Sequence, residues 1–146
     1  MARRASSLPK EVFLSHASRD RSFATRLAED IRRHGVPVWF SRTNLMGAQQ
    51  WHDEIGRALA RCDWFAVILS PASVSSRWVK HELIYVLNNP RYEAHIVPVL
   101  YRKCDPAKLS WTLRAFQMVN FVGRGRYEAA CRELLRVWGL AYHDNP

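Results

Sequence analysis

The sequence predicts an α/β fold, a parallel sheet of five strands with helices on both faces. Three observations lead there. Short apolar runs rich in β-branched and aromatic residues alternate with segments of helical period along the whole chain. The connections between them are short, without repeats or low-complexity tracts. Finally, 146 residues with 48% hydrophobic and 24% charged side chains suit one ordinary core and leave no room for two full domains.

The first strand is Val12-Phe13-Leu14, which ends at Ser15-His16-Ala17-Ser18. Asp20 is placed to cap the helix that follows, where Phe23, Leu27 and Ile31 share a face and Gly35 closes the end. Residues 36–40 read as the second strand. A loop from Ser41 to Gln50 then leads into a helix with Trp51, Ile55, Ala58, Leu59 and Cys62 in line. Residues 64–69 are almost wholly apolar, as a central strand covered on both faces must be.

A polar stretch, residues 70–76, precedes a helix over 77–88 that stops before Pro90. Residues 96–101 make the fourth strand and 118–121 a weaker fifth. Gly123-Arg124-Gly125 then turns into a last helix carrying Tyr127, Cys131, Leu134, Leu135 and Trp138. Residues 102–115 read as irregular. The domain spans 11–140, with a flexible arm at 1–10 and a short tail at 141–146.

Right-handed crossovers between alternating strands and helices imply a parallel sheet with helices on both faces, and the common five-strand order for it is 2-1-3-4-5, a flavodoxin-like doubly wound sheet. In that order the connections after strands one and three leave in opposite directions, and a crevice opens at their carboxyl ends. The segments lining it are Ser15 to Asp20 and Ser70 to Trp78, with Ser41 to Gln50 nearby.

The net charge is 22 − 13 = +9, but the arginines are scattered from Arg3 to Arg132 without a dense run, so nucleic acid is not expected as a partner. Cys62, Cys104 and Cys131 form no close pair, which excludes a zinc ribbon or a disulfide framework and leaves free thiols. No window approaches the roughly 18 apolar residues of a membrane span, and Met1 to Lys10 lacks the apolar stretch of a secretory signal, so no membrane is expected and the cytoplasm is the expected location.

At the crevice, the helix after strand three carries two stripes. Val79, Leu83, Val86 and Leu87 face the core, and Trp78, Glu82 and Tyr85 lie beside them. A carboxylate in that position would be partly desolvated, and a negative charge near an aromatic plate suits a ligand that develops positive charge. The alternative from spacing is a solvated Glu82 paired with Arg77 or Lys80.

Other chemistries are excluded. The chain has no G-x-G-x-x-G or Walker A sequence for phosphate binding. Ser70 ends strand three where a phosphoacceptor receiver needs aspartate, and the loop after strand one lacks a flavodoxin's glycine. No histidine follows His81-Glu82 at zinc-motif spacing, so no metal is expected, and His52-Asp53-Glu54 reads as acids at the positive end of a helix.

The motifs, taken in order, resemble those of TIR domains, particularly bacterial ones. Val12 to Ala17 followed by Asp20 resembles the first strand and loop of the family. Val38-Trp39-Phe40 with Leu45, Gly47 and Trp51 resembles the second strand, BB loop and following helix. Ile68-Leu69-Ser70-Pro71 and Ser76 to Leu83 resemble the third strand and the segment holding the family's catalytic glutamate, here Glu82. Ser41-Arg42 departs from the acidic residue many bacterial members have after the second strand.

The resemblance implies cleavage of NAD between nicotinamide and ribose, by hydrolysis or cyclisation, with NAD as substrate and no further cofactor. It assigns Glu82 to stabilising the ribosyl cation, Trp78 to stacking on a ring of the nucleotide, and Ser15, His16, Ala17 and Ser41 to holding the substrate. It also implies self-association through Ser41 to Gln50, a sensor domain or partner protein, and a role in anti-phage immunity. Within the same family, the alternative is a scaffold that joins other TIR domains without chemistry.

Overall fold

The computed structural model describes residues 8–40 and 48–144. Nine elements follow in chain order: β1 (Val12–Ser15), α1 (Arg21–Arg33), β2 (Val38–Phe40), α2 (Ala48–Arg61), β3 (Trp64–Leu69), α3 (Arg77–Leu87), β4 (Ile96–Leu100), β5 (Val119–Asn120) and α4 (Tyr127–Val137). All strand pairs are parallel, as the crossover argument requires, and the order is β2-β1-β3-β4-β5, the common one expected.

Strand alternation sorts the core into two layers. Val12 and Leu14 point to the face covered by α1 and α4, where Leu27, Ile31, Leu134 and Trp138 pack. Phe13 points to the other face, against Phe65 and the helices α2 and α3, where Ile55, Leu59, Val79 and Leu83 pack. Being central, β3 is buried at every position. Burying one such large side chain contributes roughly 1.5–3 kcal/mol, so the two layers fix which way each strand-end side chain points.

The differences from the sequence reading lie at element ends, and each has a backbone cause. β2 begins at Val38 because the Val36 amide bonds back to the Ile31 carbonyl at the end of α1, while Pro37 has no amide to give. β4 ends at Leu100 because the Tyr101 and Arg102 amides both turn to the Leu69 carbonyl. Trp138 lies just past the end of α4 as its C-cap, still fully buried. Gly123 and Gly125 take positive φ, 122° and 73°, which makes them a turn.

Residues 102–115 are more ordered than expected. They contain two 3-10 turns, Pro106–Lys108 and Trp111–Ala115, capped by the side chains of Asp105 and Ser110. Their periodicity is too short to read as a helix, yet they seat Leu109 and Leu113 in the α2/α3 layer.

Candidate active site

Two hydroxyls end the adjacent strands β1 and β3, and the alternation sends them to opposite faces. Ser15, on the Phe13 side, reaches α3 and donates to the Glu82 carboxylate at 2.6 Å. Ser70, on the Ile68 side, reaches the start of α1 and donates to the Asp20 carboxylate. Each strand end therefore bonds the segment that follows the other strand, and the two connections are cross-linked at the crevice.

The Asp20 link corrects one expectation. Asp20 occupies the N-cap position of α1 but makes no side-chain cap hydrogen bond. Its buried carboxylate is committed to Ser70, whose Oγ in turn accepts from the Ser73 amide at 3.1 Å. A buried charge needs a tertiary partner more than a helix needs one cap.

Glu82 is 7% exposed, which removes the alternative of a solvated helix residue. Burial pushes its carboxyl up from 4.5 to about 7, and the Ser15 hydrogen bond acts in the opposite direction. α3 can present it there because Ser76 caps the helix, accepting from the Val79 amide at 3.2 Å, while Val79, Leu83 and Val86 fasten the helix to the sheet. Leu87, read with that stripe, is only half-buried.

The cleft in front of Glu82 measures about 250 Å³. Ser15, His16, Ala17, Trp78 and Glu82 all line it, so five of the six residues singled out from sequence meet at one cavity. The sixth, Ser41, lies outside the described residues, as does most of the Ser41 to Gln50 segment. Trp78 is 39% exposed and meets Trp51 edge to face at 4.5 Å. Burial lowers the pKa of His16, and its Nδ1 is buried with no hydrogen-bond partner among the described residues. Such an atom is costly unless something in the cleft completes it.

Ser76, within the segment expected to line the crevice, does line it. Trp51, placed with the core stripe of its helix, packs against that core and also lines the cleft, which the sequence reading did not indicate. The Ser70–Asp20 bond joins residues 50 apart, and nothing in local spacing could indicate it. Among the described residues no group of three or more metal-binding side chains forms, and no helix is long and apolar enough to cross a membrane.

A crevice at the β1/β3 switch point, lined by a buried carboxylate and a tryptophan, lies where doubly wound sheets bind their ligands. Residues 12–135 match the TIR domain family model, and the chain belongs to that family. It is 34% identical over 74 residues to the 2′ cyclic ADP-D-ribose synthase BtTIR of Bacteroides thetaiotaomicron, covering 50% of this chain and 26% of that protein. It is 27% identical over 92 residues to the NAD(+) hydrolase TcpC of Escherichia coli, covering 61% of this chain and 30% of that one. The matched segments thus span less than a third of either relative.

Two solved structures share the fold. The TIR domain of the Toll-related receptor TRR-2 from Hydra magnipapillata superposes with a TM-score of 0.69 at 19% identity, covering 86% of this chain and 94% of that one. The TIR domains of the activated Roq1 resistosome also give 0.69, at 17% identity over 87% and 98% of the two chains.

Proposed function

We propose that this domain cleaves the bond between nicotinamide and ribose in NAD, with Glu82 as the catalytic carboxylate. The observation that carries the proposal is a buried glutamate lining a cleft of about 250 Å³, its carboxyl raised to about 7 and held by one serine. Burying a carboxylate is expensive, and such perturbed carboxyls in clefts are where function concentrates. Both curated relatives carry names for NAD chemistry.

In the reaction, the bond from the anomeric carbon to the ring nitrogen breaks and its electron pair stays on nitrogen. Nicotinamide leaves neutral, so no acid is needed for departure, and positive charge develops on the ribose. The Glu82 anion opposes that charge from a dry wall, where a fixed carboxylate acts more strongly than in water. The cationic ring of the incoming nucleotide itself favours the ionised carboxyl. Water then attacks the anomeric carbon and releases a proton, giving hydrolysis, or the adenosine half of the same molecule captures it, through an adenine nitrogen or through a ribose hydroxyl that releases its proton, giving a cyclic product.

Trp78 supplies a half-exposed ring for stacking, and the segment Ser15 to Ala17 offers the unsatisfied His16 Nδ1 to the bound nicotinamide and ribose. The family resemblance extends the proposal to a bacterial anti-phage effector that self-associates through Ser41 to Gln50 and answers to a sensor domain or partner. Chromatography of NAD incubated with the protein, with and without a crowding agent, tests the core of it. Nicotinamide release that disappears in Glu82→Ala and Glu82→Gln is expected. Unchanged release in either variant removes the mechanism, and a folded protein without release under both conditions returns the scaffold reading.

A further inference from the structure

Residues 141–144 lie across the end of α1, on the face of the sheet away from Glu82. His143 is gripped on both sides of its backbone: its amide donates to His34 Nε2 at 2.9 Å, and its carbonyl accepts from the Arg33 guanidinium. The Tyr142 and His143 rings both stack on the His34 imidazole, with centroids 5.1 and 6.0 Å away. The Arg33 and Arg132 guanidiniums lie over the Tyr142 ring at 5.5 and 5.3 Å.

His34 is the C-cap residue of α1, and its Nδ1 lies 2.6 Å from the Asp30 carbonyl, one of the acceptors that a helix end leaves without an amide. A carbonyl can only accept, so Nδ1 carries the hydrogen. In the neutral ring Nε2 then holds the lone pair that receives the His143 amide. A proton and the tail amide therefore compete for the same lone pair, and a protonated Nε2 sets donor against donor. The charged neighbours do not offset this. From α1, the Asp30 carboxylate is already shared between Arg33 and the Tyr127 hydroxyl. From α4, Arg132 is held by Glu128, and Cys131 is a buried thiol. The turn at 35–37 brings no titratable group. The tail itself brings Tyr142, the second imidazole of His143, and Asp144, whose charge acts on Arg132. The carboxyl end of α1 favours a cation, but it does so whether or not the tail is docked.

We infer that His34 is a pH-sensitive latch: neutral, it holds residues 141–144 against α1, and protonated, it lets them go. The released tail leaves Nε2 open to a proton that the docked tail excludes, so release takes up a proton and docking weakens as pH falls. Imidazoles in water titrate near pH 6.5, so a step from pH 7.5 to 5.5 lowers the ratio of docked to released tail by about tenfold. Release also frees Arg33 and Arg132 from the Tyr142 ring and the His143 carbonyl, which makes this edge of the α1/α4 layer more basic in acid. The latch is independent of NAD cleavage.

Hydrogen exchange of the residue 143 amide, followed by NMR on the full chain and corrected for the intrinsic rate at each pH, reads the ratio of docked to released tail directly. The measurement is made at pH 7.5 and 5.5 on wild type, His34→Gln and His143→Ala, with the amides of β3 reporting that each protein stays folded. In wild type the protection of this amide should fall by about tenfold between the two pH values. His143→Ala keeps the backbone contact and should show the same fall. His34→Gln has no titrating ring, so its protection, whether high or absent, should be equal at the two pH values. An unprotected wild-type amide at pH 7.5, or equal protection at both pH values, overturns the latch. So does a fall that persists in His34→Gln, and a fall that vanishes in His143→Ala assigns the effect to the other imidazole and overturns it as well.

Discussion

Replacing Glu82 by glutamine isolates the energetic consequence of burying that carboxyl. In the native protein it titrates at about 7, against 4.5 as the ordinary value. Between those two pH values the folded protein keeps a proton that the unfolded chain has released, so folding stability falls as pH rises through the window. Each tenfold change in proton affinity is worth about 1.36 kcal/mol, so the move to about 7 costs about 3 kcal/mol once the pH is above 7. Below pH 4.5 the cost vanishes.

Glutamine never ionises. Its carbonyl can still accept from the Ser15 hydroxyl, while its buried amide hydrogens lose roughly 1–3 kcal/mol at every pH. Glu82→Gln is therefore expected to be the less stable protein at pH 4.5 and to gain about 3 kcal/mol on wild type by pH 8.5. Urea unfolding followed by circular dichroism across that range measures the difference, and all other titrating groups cancel in it. A difference that stays flat with pH would mean that the carboxyl is solvated, and the reasoning about Glu82 would fail with it.

Ser15→Ala removes the one hydrogen bond that opposes the upward shift of Glu82, so the acidic limb of kcat/KM for NAD should move to higher pH, and an unmoved limb would show that the contact is absent in solution. Ser70→Ala strips the buried Asp20 of its hydroxyl partner and should cost roughly 1.5–3 kcal/mol, read as a Tm lower by several degrees, while a Tm within one degree of wild type would contradict the cross-link. Burial pushes the Cys62 thiol to about 12 and that of Cys131 to about 11, whereas Cys104 is only half-buried. A disulfide reagent should therefore modify Cys104 first and the other two only on unfolding; three rapid thiols in the folded protein would refute it. Trp78→Ala should weaken NAD cleavage by roughly 1–3 kcal/mol through lost positioning, and a smaller loss would assign the ring to packing alone.

The fold class was legible because two periods of hydrophobicity are local properties. The unbroken apolar run at 64–69 could only be a strand covered on both faces, and the helical stripes of α1, α3 and α4 stand out against polar surroundings. The same patterning carried the crevice, since a doubly wound order puts the ends of β1 and β3 side by side. For Glu82, spacing alone left a solvated and a buried reading open, because a helix position between two stripes can turn either way. Packing decided it: Val79 and Leu83 rotate α3 so that the carboxyl faces Ser15.

What the sequence determined by itself was the alternation of strands and helices, the parallel sheet that alternation implies, and the short set of side chains near the switch point. Tertiary structure alone decided that Asp20 serves Ser70 instead of its own helix, and that Trp51 lines the cleft while packing on the core. The reason is range. Periodicity and capping act over a few residues, whereas the desolvation that raises Glu82 and holds Asp20 to a partner 50 residues away depends on elements that meet only when the chain has folded.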